Sequence, residues 1–545
     1  MTEKKKLIFL VLLFIGVLYF FIFWFPNATG AHDLNMTYIF NSDEPAQYPA
    51  IIRMLTPAPS FSQSLYRFFA YQIYFYGFPY YFYSAVLILL PVKMIFGLGN
   101  LQLNMLVLRQ FDSVLPMIAA LMILVYLQTK FESYLKSIAL FLLLLLIPEV
   151  VFNDMWLHPE SLVFLFIVLT FFFLTRDDLK FGMNFYLAAL LCGLAVATKQ
   201  IGLFFFLAIP LYIYLGWMRN SIDTRQSILV AVSFVVIMIA VFVLTNPFLF
   251  WASERKFALQ TQLKLHQHIA SGFTVLYQNS MLDWLQVVKE EYSTLPFLLL
   301  AFVAAIIGSF QGERRLLNRL ILAWVVPFTL YIAFALAIRP KHFPLPILLP
   351  LYSTLPAYFA AFAPPRFINP LGDYLKKYGA RLLLFIAGVV IVGWQFAYSL
   401  NIDIPQYLET LNREKDNPSL NFYTALDKND LSSIKLDRSL IVFRDVAMYI
   451  PNAANDKVYF QWGVSGYADI NKIDADLLLL SKQHLRDYTQ PGQLQTAVDP
   501  NFPDAYHLYK DALASQVQGY TLLYQDDFGM AYISTSLYNQ FFSAH

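Results

Sequence analysis

Apolar runs long enough to cross a bilayer recur from Leu7 to about Leu400. Roughly 20 apolar residues cross the hydrocarbon core as a helix, so this repetition predicts a polytopic membrane protein before any motif is considered. With 58% apolar and 14% charged residues, the 545-residue chain lacks the polar surface that a soluble protein of that length requires. A net charge of +2 gives no electrostatic reason for a nucleic-acid partner. Cys192 is the only cysteine, so no disulfide framework forms within one chain.

Basic clusters orient the spans. The start, with Lys4–Lys6 before a long apolar stretch and no small-residue cleavage site, reads as an uncleaved first helix with a cytoplasmic N-terminus. Further basic segments at 130–136, 176–180, 219–225, 312–319 and 364–381 read as cytoplasmic loops. The paired apolar segments between them are 137–153 with 159–175, 181–198 with 200–217, 227–250 with 294–311, and 320–338 with 343–363. Their inner connections then lie outside, and a last helix at about 382–400 delivers the rest of the chain outward.

Parity constrains the first third. Helix 1 leaves the cytoplasm and a 112–129 helix returns to it, so the stretch between them, about 26–111, begins and ends outside. A single crossing by the aromatic-rich segment 80–97 would break that parity. The expectation is therefore that it lies at the outer interface, or dips in and returns. The total is about eleven spans. From about Asn401 polar residues become common and spanning runs stop. Short β-type runs at 438–443, 457–462, 475–480, 520–525 and 530–535 predict a soluble α/β domain over 401–545 on the outer face, after a membrane domain over 1–400.

The scarce ionisable residues converge on the outer side. They are Asp43, Glu44 and Arg53 in the first outer loop, Arg109 at its end, Asp154, His158 and Glu160 in "NDMWLHPES", Lys199 in "ATKQIG", His266 and His268 in "KLHQHIASGF", and Arg339, Lys341 and His342 in "RPKHFPLP". Ionisable groups at membrane depth are costly, and those that converge mark functional sites. An acid in such a place can act as a general base toward a hydroxyl or amine. Lys and Arg can hold a phosphate, as a point charge and as a bidentate fork respectively. This set suits group transfer from a lipid phosphate. His158 and Glu160 read as the start of the helix at Pro159, where an acid suits the N-terminus.

These residues resemble the GT-C glycosyltransferases that use polyprenyl-phosphate sugars, in particular the protein O-mannosyltransferase and lipid A aminoarabinose-transferase group. The resemblance covers roughly residues 1–400. It rests on "SDEPAQYPAIIRM", "GFPYYFYSAVLILLPVKMIFGLGNLQLNMLVLR", "WLHPESLVFLF", "GLAVATKQIGLFFFLAIP" and "KHFPLPILLPLY", in that order. Gln200 stands where that group usually has Gly, and "GFPYY" lacks its double Pro.

The resemblance implies an integral-membrane transferase that moves a sugar from a polyprenyl-phosphate donor to a lipid, polysaccharide or protein acceptor outside a bacterial inner (plasma) membrane. It implies Asp43 as the base, with Glu44 positioning Asp43 or the acceptor. Lys199, Arg339 and Lys341 are implied on the carrier phosphate, Arg53, Arg109, His268 and His342 as further binding candidates, and inversion at the anomeric carbon. Arg109 reads equally as a brace against a carboxylate. His266 and His268 lack metal-ligand spacing, and no cofactor is assigned. A divalent metal stays open, because that superfamily has metal-dependent and metal-independent members. The rival class is a transporter or lipid flippase, which places polar groups at mid-membrane among internal repeats.

Overall fold

The computed structural model describes all residues except Met1, Ser42, 278–281, 366–370, Asp416, 453–456, 461–463 and 543–545. The expected basic loop 364–381 and the end of the expected strand 457–462 fall partly outside the described residues.

By length and composition, eight of the described helices can cross a membrane, and a bent pair makes a ninth candidate. α1 (Glu3–Asn27) is the first of them. Four helices follow it: α2 (Leu34–Phe40), α3 (Glu44–Leu55), α4 (Phe61–Phe69) and the 19-residue α5 (Phe78–Phe96), the last being itself one of the eight candidate spans. Tyr80, Tyr81, Ala85, Ile88 and Leu89 of α5 pack with Ile51 of α3 and with Tyr71 and Tyr74, in a cluster separate from the main bundle core. The segment 80–97 is thus tied to the first outer loop through its buried face.

α6 runs over Leu101–Thr129, eleven residues earlier than the 112 start expected from sequence. Arg109 and Asp112 interrupt the apolar run there, but both are buried within a π-helical turn (Arg109–Val114) and the helix continues through them. A π-turn of this kind often marks a functional region.

α7 (Tyr134–Leu145) and α8 (Pro148–Asn153) follow one another with a break before Pro148. Proline has no amide to donate and pushes its predecessor into extended backbone, and Ile147 has ψ 127°. Then come α9 (Glu160–Asp177), α10 (Met183–Thr198), a 3-10 turn (Gln200–Leu207) leading into α11 (Ala208–Met218), and α12 (Thr224–Leu244). Asp223 caps α12 reciprocally with Gln226, which fixes its start. α13 (Ala252–Ser271) lies in the large outer loop. α14 (Asp283–Glu291) meets α15 (Leu295–Phe310) at 95°. α16 (Arg315–Ala335), α17 (Leu345–Tyr352), α18 (Leu355–Phe362) and the long α19 (Leu371–Leu411) complete the bundle. α19 continues past residue 401, carrying its helix beyond the last apolar run.

One close approach fixes the first outer loop against the bundle. The Gly77 amide donates to the Thr198 carbonyl at 2.9 Å, and a Cβ at this position would lie 1.6 Å from the Ala197 carbonyl oxygen. Only glycine lets the loop come this near the end of α10, one residue before Lys199.

The tail begins with α20 (Pro418–Asn429) and forms a five-stranded sheet. Its elements are β1 (Ile441–Arg444), β2 (Lys457–Tyr459), α21 (Tyr467–Ile473), β3 (Leu477–Ser481), α22 (Lys482–Tyr488), α23 (Phe502–Leu513), β4 (Tyr520–Gln525), β5 (Gly529–Ser534) and α24 (Thr535–Phe541). The strand order is β2-β1-β3-β5-β4, with β1 parallel to β2 and β3, and β5 antiparallel to β3 and β4. β3 is buried along its whole length because both sheet faces are covered, one by α21–α23 and the other by α20 and α24. The chain is a polytopic α-helical membrane protein with a C-terminal soluble α/β domain.

The tail is joined to the outer loops. Arg413 Nε donates to Thr29 Oγ1 at 3.0 Å, and its Nη2 donates to the Thr29 carbonyl. Glu414 accepts from the Gly30 amide and pairs with His32 at 2.8 Å. Tyr449 donates to Asp33 at 2.7 Å. In the large outer loop, the Leu276 amide donates to the Thr496 carbonyl at 2.6 Å, and Val498 donates to Thr274 at 2.9 Å.

Candidate functional site

One end of the bundle and the segment after α1 bring Asp43, His158, Glu160, Lys199 and His342 into one cluster. Asp43 begins α3. Its amide is held by Asn41 Oδ1 at 2.8 Å, while its carboxylate is 40% exposed and caps no helix amide. Asp43 Oδ2 lies 3.8 Å from His158 Nε2. Burial pushes the Asp43 carboxyl above the usual range. Lys199 counteracts that in part and the neighbouring Glu44 adds to it.

Glu44 has a different environment. It and Arg109 are both 0% exposed. Arg109 Nε and Nη2 donate to the two Glu44 oxygens at 2.7 and 2.5 Å, and the Leu157 amide donates to Oε1 at 2.9 Å. Arg109 Nη1 reaches the Asn27 and Thr29 carbonyls at 2.9 and 2.8 Å. Burial opposes ionisation of Glu44, but the Arg109 charge and hydrogen bonds outweigh it and hold the carboxyl below its ordinary range. Arg109 therefore braces the loop against a carboxylate, and Glu44 is fully engaged in that brace.

Glu160 is the acid in the first turn of α9, where the sequence places it, but neither it nor His158 makes a side-chain cap at that start. They face inward. His158 is buried, shares a 2.8 Å hydrogen bond with the Tyr76 hydroxyl, and stacks on Trp156 at 4.2 Å with planes 13° apart. Burial, with Lys199 and His342 nearby, pushes His158 well below its ordinary value and leaves it neutral. Glu160 Oε1 accepts from the Lys199 ammonium and lies 3.7 Å from His342 Nε2. His342 is 4.7 Å from the His158 ring and is likewise kept neutral by burial, then by Lys199 and Lys341.

Lys341 stands at the edge of this cluster, 3.5 Å from Glu291 and 3.4 Å over the Phe152 ring. Arg339 pairs with Asp283 at 2.7 Å and borders an open cavity of about 590 Å³ with Phe273, Tyr277, Gln286 and Glu290. Arg53 donates to Gln72 at 2.6 Å within the first loop, and His268 packs its ring 5.1 Å from Phe273 on α13. Asp154 accepts from Tyr19 at 3.0 Å.

Sequence reasoning gave His158 and Glu160 to a helix start and passed over Glu149 and Tyr76. The one available signal for His158 and Glu160 was an acid and an imidazole flanking Pro159 in an otherwise apolar stretch. Nothing in the sequence pairs them with Lys199 or His342.

His158, Glu160 and His342 are the group among the described residues that could hold a metal ion, their donor atoms lying within 4.8 Å of one another. Two imidazoles and a carboxylate form a donor set that zinc accepts. His158 Nδ1 and Glu160 Oε2 have no hydrogen-bond partner and are available to an ion. Glu160 Oε1 already carries the Lys199 ammonium, so a divalent ion bound there would displace a cation the chain itself supplies.

No protein-family profile and no curated protein matches the chain. Solved structures do. The chain aligns with ArnT from Cupriavidus metallidurans bound to undecaprenyl phosphate at a TM-score of 0.50 and 11% identity, over 96% of this chain and 98% of that one. It aligns with the oligosaccharyltransferase AglB from Archaeoglobus fulgidus, in complex with an inhibitory peptide and a dolichol-phosphate, at 0.50 and 10%, over 96% and 80%. Both alignments cover 96% of the chain, bundle and tail together, and on them the chain shares the fold of these two structures.

Proposed function

We propose that this protein transfers a glycosyl group from a polyprenyl-phosphate donor to an acceptor on the extracytoplasmic side of the membrane. Asp43 takes the proton of an acceptor hydroxyl or amine as that atom attacks the anomeric carbon. The bond from the anomeric carbon to the phosphate oxygen breaks, and its electron pair leaves on the phosphate. Direct displacement inverts the anomeric configuration. Lys199 and Lys341 stabilise the charge that develops on the leaving phosphate, while Arg339, paired with Asp283 at a separate cavity, is not part of this cluster. His158 and His342, both neutral, shape the site without adding charge. The ligands named in the two structural relatives, undecaprenyl phosphate and dolichol-phosphate, support the donor class. The acceptor is a lipid, a polysaccharide or a protein.

The observation that carries this reading is the contrast at the start of α3. Asp43 is left open beside Lys199, while the adjacent acid, Glu44, is locked away by Arg109. The test is sugar transfer in isolated membranes supplied with polyprenyl-phosphate sugars. Asp43→Asn, still inserted, is expected to lose about 10²–10⁴ in rate. An unaltered rate would remove Asp43 as the base.

A further inference from the structure

The stretch from Glu149 to Glu160 carries an unusual density of buried polar atoms without partners. Both Glu149 oxygens, Trp156 Nε1, His158 Nδ1 and Glu160 Oε2 make no hydrogen bond. Glu149 is 0% exposed. A buried carboxyl that bonds through neither oxygen is costly, and natural chains keep very few such groups without a reason.

The surroundings of Glu149 show what it can receive. The charged groups facing it are Lys341, Glu291 and Glu160, with the Tyr292 ring beside it. Lys341 is shared with Glu291 at 3.5 Å, and Glu160 holds Lys199. Both lysines are already engaged by other carboxylates, and neither donates to Glu149, whose two oxygens stay without a donor. Glu149 offers two acceptors, Glu160 a third, and Trp156 a donor and an aromatic face whose ring lies 5.9 Å from Phe152 and 5.8 Å from His342. Carboxylates that accept from neighbouring hydroxyls, next to an aromatic ring that covers C–H faces, are the chemistry of a sugar ring.

We propose that Glu149 is a specificity-determining residue that accepts hydrogen bonds from hydroxyls of the transferred glycosyl group, with Trp156 and the free oxygen of Glu160 completing that subsite. This rests on the donor reading above and adds to it the residues that read the sugar rather than the phosphate.

The test compares two probes on the full chain in lipid nanodiscs: undecaprenyl phosphate, and undecaprenyl phosphate carrying each of a panel of hexoses and pentoses. Glu149→Gln is expected to bind undecaprenyl phosphate like the wild type. It should bind the preferred sugar-loaded carrier about tenfold more weakly, with kcat/KM falling by the same factor. Glu149→Asp, which keeps the carboxyl but shortens it, should change the ranking among the sugars. Asp43→Asn should lose turnover and keep the sugar discrimination. Wild-type affinity of Glu149→Gln for every loaded carrier would overturn the proposal. So would an equal loss for both probes, which would make Glu149 structural. If the wild type binds no loaded carrier better than undecaprenyl phosphate, the donor reading itself falls, a result distinct from any behaviour of the Glu149 variants.

Discussion

Two buried glutamates, Glu44 and Glu160, each meet a cation at the same end of the bundle, yet the two pairs are built differently. Glu44 and Arg109 form a two-pronged contact at 0% exposure, and the rest of the arginine fork is consumed by backbone carbonyls. Lys199 meets Glu160 through one oxygen, is 13% exposed, and leaves the second oxygen unbonded. A guanidinium in a planar fork is pre-organised and hard to move. An ammonium on a flexible stem is a point charge that can turn to a new partner. The first pair is held at several points, and under the proposed function the second is the one free to turn toward an incoming phosphate.

The strongest way to break this comparison is to remove one side of the closed pair. Glu44→Gln strands Arg109 among carbonyls and should cost about 3–5 kcal/mol of stability, read as a fall in the thermal midpoint in detergent. A midpoint equal to the wild type would abolish the distinction. The sign of its pH dependence follows from the depressed Glu44 pKa. The glutamate contributes fully above its unfolded value and loses that contribution as pH falls through the lower folded value. The stability gap between wild type and Glu44→Gln should therefore narrow in acid.

Lys199→Ala tests the open pair. Transfer should slow about 10²–10³-fold, while the midpoint falls less than in Glu44→Gln, because Glu160 can take up a proton once its cation is gone. A larger midpoint loss than that of Glu44→Gln would reverse the assignment. The pH–rate profile sharpens the contrast further. Asp43 must be ionised to act as base and its pKa is raised, so the acid limb should lie above the ordinary aspartate value of about 3.9. A limb at or below that value would count against Asp43. The smallest effect is expected from Asp178→Asn, which removes an exposed pair with Arg219 and should change stability by no more than about 0.5 kcal/mol.

How much of this was legible in the sequence varies by region. Apolar runs and basic loops announce the bundle because lipid imposes length and charge rules on every span. The tail strands were read to within a few residues because β-branched and leucine-rich runs stand out against polar loops. The sheet order was not, since β1 pairs with both β2 and β3 and no local signal encodes that choice. Asp43 and Lys199 stand out in the sequence because charge is scarce around them, and the structure brings both to the cluster with His158 and Glu160. The Glu44–Arg109 bond joins residues 65 apart, so an arginine read as either a ligand or a brace could not be decided from the string. Glu149 follows Pro148 and looks like any acid at a helix start. Its lack of partners shows only in three dimensions, where it shares that state with Asp112 and Asp403 and differs from them in lying near Trp156 and Glu160 in the chain.

The Thr29 carbonyl accepts from Arg109 and also from Arg413, 384 residues further along. The segment just after α19 therefore closes back on the end of α1, and one carbonyl there is shared by two arginines from distant parts of the chain.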